Sequence, residues 1–371
     1  MRLILKLFLF FMLSSACIWS QELKTYSDYT FVPGSKIIFY DDFSLDNVGE
    51  FPGNWGTNGS GEIVTTNNFA GKWLRMTNET AYVPNINQTL TENFTVEFDM
   101  IVDGKMIDDI DYLGHFTIGM VSKEEGNDEI GESYPSEMGN ASFFISNYFR
   151  FEESSDFMTE GSAWMPNGDR KVIDPRSIQN KVLNSCYGKI TRVSISVNGK
   201  RLSVWYNNVK IWDLPQFVIG KNYNMIKFGL HEFDEEKPYT FLISNLRVAV
   251  GEPTIKKDIK KIVSHGIYFD SGSDKIKGES YGTLKVLADY MKENKNYNFV
   301  IVGHTDSDGD EQVNLDLSKR RADAVKNSLV NDFGLSQSRF TTDGKGESEP
   351  IESNNSVFGK SVNRRVEFIR E

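Results

Sequence analysis

Near Val250 the chain changes its hydrophobic period, and that change limits it to two unlike folding units. From about Tyr26 to Val250, aromatic and β-branched residues alternate with polar ones, the period-2 pattern of strands with one buried face. Val250-Gly-Glu-Pro-Thr interrupts the pattern, and Lys256, Lys257, Lys260 and Lys261 follow. Beyond them, short apolar runs alternate with stretches of helical spacing, which fits an α/β sandwich. A chain of 371 residues can bury two cores of this kind. The expected division is a leader over 1–20, an all-β domain over 26–250, a linker over 251–261 and a mixed domain over 262–371.

In the first unit, Phe94, Val96, Phe98, Met100 and Val102 fall on one face of a strand starting at Asn93. Thr191–Val197 and Arg201–Tyr206 form a hairpin with Asn-Gly as its turn, and Asn207-Asn208 reverses the chain into Val209. Further strands are expected over Ile37–Tyr40 and Tyr239–Val248. The segment 104–150, rich in Asp, Glu and Gly, reads as irregular. With no competing helical stretch, the class is all-β, two packed sheets. Glu97 and Asp99 lie on the strand face opposite the apolar one, and read as solvent-face charges. A glycoside hydrolase needs paired carboxylates, but the third acid of Glu-x-Asp-x-x-Glu is missing, because Met100, Ile101 and Val102 follow. Trp55, Trp73 and Trp164 are read as core residues before sugar platforms. Asp41-Asp-Phe-Ser, Thr95-Val-Glu-Phe-Asp and Leu202-Ser-Val-Trp-Tyr-Asn-Asn-Val-Lys-Ile resemble concanavalin A-like, laminin-G-type jelly rolls. That likeness implies a jelly-roll sandwich with a glycan or envelope protein as partner.

The second unit carries the sharper motif, Gly303-His-Thr-Asp-Ser-Asp-Gly through Leu317-Ser-Lys-Arg-Arg321. Asp306 ends the apolar run Phe299–Val302, and Arg321 precedes Ala322, Val325, Leu329 and Phe333 at helical spacing. Ser318 reads as the N-cap, which places Arg321 in a first turn whose free N–H groups favour anions. An acid facing a guanidinium suits a small zwitterion. Asp306, Asp308 and Asp310 do not make an EF-hand, because Glu311 and Leu317 stand where Gly and Glu are required.

These residues resemble the peptidoglycan-binding domain of the OmpA-like family. Ile267-Tyr-Phe-Asp-Ser-Gly-Ser, Gly344-Lys-Gly-Glu-Ser-Glu-Pro350 and Gly359-Lys-Ser-Val-Asn-Arg-Arg-Val-Glu367 extend the likeness. Together the motifs span about 105 residues in one register, which is far more specific than any one of them. The resemblance implies that Asp306 and Arg321 hold the zwitterionic centre of diaminopimelate in the peptide stem, with Asn314 and Arg365 at other motif positions. Lys360 stands where the family has Arg, keeping the charge without the planar fork. On the same helix Arg320 points about 100° away from Arg321, so only one of the two faces the ligand.

Arg2 and Lys6 before the apolar run Leu7–Leu13 read as a secretory signal cleaved after Ser20. Lipidation at Cys17 is the alternative, although Ser14 weakens the lipobox. With Cys17 removed, Cys186 has no partner for an internal disulfide. The net charge of −11 becomes −13 without Arg2 and Lys6, which argues against nucleic acid as a partner. The four histidines are scattered and no His-Glu-x-x-His occurs, so neither metal, cofactor nor catalytic site is expected. The sequence therefore reads as an exported, non-enzymatic envelope protein: a jelly roll followed by an OmpA-like α/β domain, in the periplasm with the outer membrane and cell wall. The alternatives are a wall-tethered carbohydrate hydrolase and a barrel-anchored outer-membrane protein.

Overall fold

The computed structural model describes residues 30–103, 111–122, 130, 142–151, 157–164, 170–173, 188–218, 222–231, 240–252 and 260–371. The leader, both cysteines, the Trp164 side chain and positions 253–259 of the expected linker lie outside the described residues.

The first unit contains β1 (Lys36–Asp41), β2 (Trp55–Thr57), β3 (Gly61–Val64), β4 (Trp73–Met76), β5 (Thr80–Pro84), β6 (Asn93–Asp103), β7 (Asp111–Val121) and β8 (Ser142–Phe151). It continues through β9 (Phe157–Trp164), β10 (Arg170–Ile173), β11 (Thr191–Asn198), β12 (Arg201–Tyr206), β13 (Val209–Leu214), β14 (Met225–His231) and β15 (Thr240–Val250). They pair into two sheets, ordered β13-β12-β11-β6-β15-β4-β3 with β1 beside β15, and β10-β9-β8-β7-β14-β5-β2. Among the described residues, every strand pairing within both sheets is antiparallel.

The alternation read along β6 is what joins the sheets. Phe94, Val96, Phe98, Met100 and Val102 all enter one apolar core. Phe98 meets Phe116 of β7 at 6.0 Å and Phe228 of β14 at 5.4 Å, while Phe116 meets Phe241 of β15 at 4.4 Å. Rings from both sheets thus interleave in one sandwich core. Each fully buried ring stabilises by about 1.5–3 kcal/mol relative to exposure. Trp55 and Trp73 are buried, in keeping with their reading as core residues.

Three local expectations change. The hairpin turn is Gly199-Lys200, since Asn198 still pairs with Arg201; Gly199 supplies the positive φ of 56°. The segment 104–150 holds β7 and most of β8, because Phe116, Ile118, Met120, Phe143 and Ile145 alternate into the core between the acidic stretches. Glu97 does not face solvent: it is 1% exposed, covered by the second unit.

That second unit comprises β16 (Lys261–Ser264), α1 (Tyr281–Glu293), β17 (Phe299–His304), α2 (Glu311–Asn331), β18 (Phe340–Gly346), α3 (Val357–Asn363) and β19 (Val366–Arg370). The sheet order is β16-β19-β17-β18, with β17 and β18 parallel and the other pairs antiparallel. Leu284, Leu287 and Met291 of α1 and Ala322, Val325 and Leu329 of α2 share a core with Phe299, Ile301, Phe340 and Phe368. Ile267 lies beyond the end of β16 rather than in a strand; the nearest pairing is the single bridge Phe269–Ile276.

The two units meet through a tight join. Phe31 packs edge-on against Trp205, 5.3 Å between ring centres. A Cβ on Gly282 of α1 would lie 2.0 Å from the Phe31 carbonyl oxygen, so only glycine admits this approach. The Arg247 guanidinium donates to the His265 carbonyl at 2.8 Å and also to the Tyr268 hydroxyl. Tyr268 in turn reaches Glu97. Burial raises the Tyr268 pKa well above its usual value, so the phenol stays a donor.

Candidate functional site

Glycines bring α2 directly onto the sheet. A Cβ on Gly303 of β17 would sit 2.1 Å from the Ser318 carbonyl, and one on Gly344 of β18 would sit 2.5 Å from the Lys319 nitrogen. This contact sets the height of Arg321, one turn beyond Ser318, against the loop that leaves β17 with Asp306.

The helix begins earlier than expected. Asp310 is the N-cap, accepting from the Gln312 and Val313 amides at 2.9 and 3.1 Å. Ser318 is instead mid-helix; its hydroxyl donates to the Leu315 carbonyl and accepts from the Gly346 amide. The polar stretch Glu311–Asp316 lacks an apolar stripe, so hydrophobic spacing did not show it as helix. Arg321 therefore owes nothing to a helix N-terminus. Its guanidinium donates to the Ser273 and Asp270 carbonyls at 2.9 and 3.4 Å and lies 4.8 Å over the Phe269 ring. Burial lowers its pKa, opposed by the charge of Asp306.

Asp306 is 8% exposed. One carboxylate oxygen accepts from the Asp308 amide at 3.2 Å; the other accepts from Arg364 at 2.5 Å. Asn314 holds the loop by donating to the Asp306 and Asp308 carbonyls and to Glu347. Lys360, the departure from the family pattern, pairs with Asp308 at 2.6 Å.

Arg365 lies along the same cleft, yet its fork points into the protein. It donates to Glu367 at 2.8 Å and to the Asn363 and Glu349 carbonyls. Glu367 also pairs with Lys261 at 2.7 Å. The pKa of Glu367 is held low because these partners and His304 outweigh the opposing effect of burial. The guanidinium beside Asp306 is that of Arg364, which the sequence reading missed. The Arg364-Arg365 doublet carried the signal: adjacent residues entering a strand point to opposite sides.

These groups line a cleft of about 680 Å³ whose far wall belongs to the sandwich. Tyr40, Asp42, Asp99 and Asn245 stand there. A bulge in β15 builds part of it: Ser244 faces Asp99 but Arg247 faces Glu97, one residue too many. The extra turn places Asn245 at φ 53°, where it donates to Asp99 at 2.7 Å and accepts from the Tyr40 hydroxyl at 3.3 Å. Arg192 binds Asp99 and Glu97, both at 3.2 Å.

The cleft thus sets one buried carboxylate among guanidinium groups at the carboxyl end of β17, carried on a four-stranded sheet with packed helices. The OmpA family model matches residues 268–364, the stretch that holds Asp306, Asn314, Arg321 and Arg364. Outer membrane porin F of Pseudomonas aeruginosa is 40% identical over 119 residues, covering 32% of this chain and 33% of that protein. The probable lipoprotein YiaD of Escherichia coli is 39% identical, over 28% of this chain and 47% of its own length. The peptidoglycan-associated lipoprotein of Mesorhizobium japonicum is 32% identical, over 31% of this chain and 67% of its own length. Through its C-terminal domain the chain belongs to the OmpA family. It spans about a third of the length of the first relatives matched. Among the described residues, no helix is long and apolar enough to cross a membrane.

Proposed function

We propose that this chain is an exported cell-envelope protein that grips peptidoglycan non-covalently through the diaminopimelate of the peptide stem. Asp306 takes the ammonium of the zwitterion, and Arg321 takes its carboxylate. The observation that carries this reading is the buried Asp306 carboxylate facing a guanidinium-lined cleft. Membership of the OmpA family and the names of the relatives, outer-membrane and peptidoglycan-associated proteins, point the same way. Asn314 acts by holding the Asp306 loop, and Arg365 by fixing the strand beneath it.

The sandwich is a concanavalin A-like jelly roll that meets a glycan or another envelope protein. It is not a hydrolase in this reading: Glu97 is enclosed by Arg192, Arg247 and Tyr268, which leaves its carboxylate no route to a sugar. The described strands form two sheets around one core, which supports a sandwich over a closed barrel.

The test is co-sedimentation with purified sacculi. Asp306→Ala and Arg321→Ala, folded by circular dichroism, lose retention; each removes one partner of a charged contact, a loss of about 2–5 kcal/mol. Full retention by both variants rules the reading out.

A further inference from the structure

The sandwich stands against the site at one point where a charged group of the second domain is in play. The Arg364 guanidinium carbon lies 5.4 Å over the Tyr40 ring while its Nη1 donates to Asp306 at 2.5 Å. Among the described residues its other N–H groups make no protein hydrogen bond, and its side chain is 35% exposed along the cleft. Tyr40 is itself held: its hydroxyl lies 3.3 Å from Asn245 on the β15 bulge and 3.5 Å from Asp42. Burial pushes its pKa up to about 12, so the ring faces Arg364 as a neutral phenol.

Resting on the diaminopimelate reading, we propose that Tyr40 is a positioning residue of the wall-binding site. Its ring fixes Arg364 so that the free N–H groups join Arg321 on the ligand's carboxylate, beside the ammonium on Asp306. The site is then a two-domain one, and the sandwich sets its preference for a zwitterion over a simple ammonium. A guanidinium over an aromatic face keeps its N–H edge free for in-plane hydrogen bonds, so one side chain serves both contacts. An unheld arginine of this length sweeps many rotamers, and ordering it on binding weakens affinity.

The experiment titrates the full chain, by calorimetry, with the tripeptide L-alanyl-D-glutamyl-meso-diaminopimelate. A matched tripeptide has the side-chain carboxylate of diaminopimelate as a carboxamide. Wild type prefers the free carboxylate. Tyr40→Leu reduces that preference about tenfold, the scale of a partly desolvated cation–π contact, while affinity for the carboxamide stays the same. Tyr40→Phe keeps the wild-type preference. Arg364→Gln reproduces Tyr40→Leu, and the double variant loses no more than Arg364→Gln alone. Unchanged preference in Tyr40→Leu, or tighter binding showing that Tyr40 clamps Arg364 onto Asp306 as a plug, overturns the proposal. Equal losses for both peptides also overturn it, since that is the mark of misfolding. If wild type binds neither peptide, the diaminopimelate reading itself fails.

Discussion

The Tyr268 hydroxyl lies 2.9 and 3.1 Å from the two carboxylate oxygens of Glu97, residues that belong to different domains. Glu97 is 1% exposed and also meets Arg192 and Arg247, so the join contains a buried charge network. Such networks tolerate removal of one partner badly, because the others remain buried without it.

Glu97→Ala therefore destabilises the protein by about 3–5 kcal/mol. Tyr268→Phe, which removes both the bond donated to Glu97 and the one accepted from Arg247, costs about 1.5–3 kcal/mol for each charged partner left without it. Urea unfolding of the full chain measures both. Glu97→Ala is expected to separate unfolding into two transitions, and a single unshifted transition would contradict the coupling.

Gly282→Ala tests the join from the other side. Alanine inside a helix ordinarily stabilises by about 0.5–1 kcal/mol. Here the new Cβ meets the Phe31 carbonyl oxygen at 2.0 Å, and overpacking of this kind costs about 1–3 kcal/mol. The expected sign is therefore reversed. A higher melting temperature in the variant would show that the 30–33 segment does not rest there.

His265 makes the join acid-sensitive. Burial, then the charges of Arg247 and Arg365, hold its pKa down to about 3 against an ordinary 6.5. Below pH 6.5 the unfolded chain takes up a proton that the folded chain refuses until about pH 3. The stabilisation is complete above pH 6.5 and falls as the pH drops through that window. Each pH unit costs up to about 1.4 kcal/mol. His265→Gln flattens this slope in denaturation series between pH 7 and pH 4; an unchanged slope would count against it.

The start of α2 yields a paired test. Asp310→Ala removes the N-cap and costs about 1 kcal/mol. Were Ser318 the cap, Asp310 would be an ordinary loop residue with a negligible effect. Amide hydrogen exchange separates the two, because loss of protection over Glu311–Asp316 in Asp310→Ala requires the longer helix.

Where apolar period alone decides structure, the sequence was readable. The core face of β6, the hairpin of β11 and β12, and the buried stripe of α2 all follow from spacing. Asp306, Asn314 and Arg321 were legible through a motif whose members sit close in sequence, and all three line the cleft. What escaped depends on distant pairs. Nothing local marks Glu97 as covered rather than exposed, since the Arg192, Arg247 and Tyr268 that enclose it come from elsewhere in the chain. Choosing Arg364 over Arg365 required knowing which side of the entering strand faces the cleft. The first turns of α2 were hidden because a polar helix end has no hydrophobic signature.

On the proposed wall-binding reading, the contact between Phe31 and Gly282 bears on how the protein carries tension. Phe31 precedes the first strand of the sandwich and its ring packs on Trp205 there, yet its backbone carbonyl lies against a helix of the second domain. A pull applied between cell wall and sandwich is then divided among attachments in parallel: the covalent chain after Val250, this contact, and the Glu97–Tyr268 and Arg247–His265 bonds. All must stretch before the domains part, so the join transmits force as a stiff bracket where one strand of polypeptide would act as a slack tether.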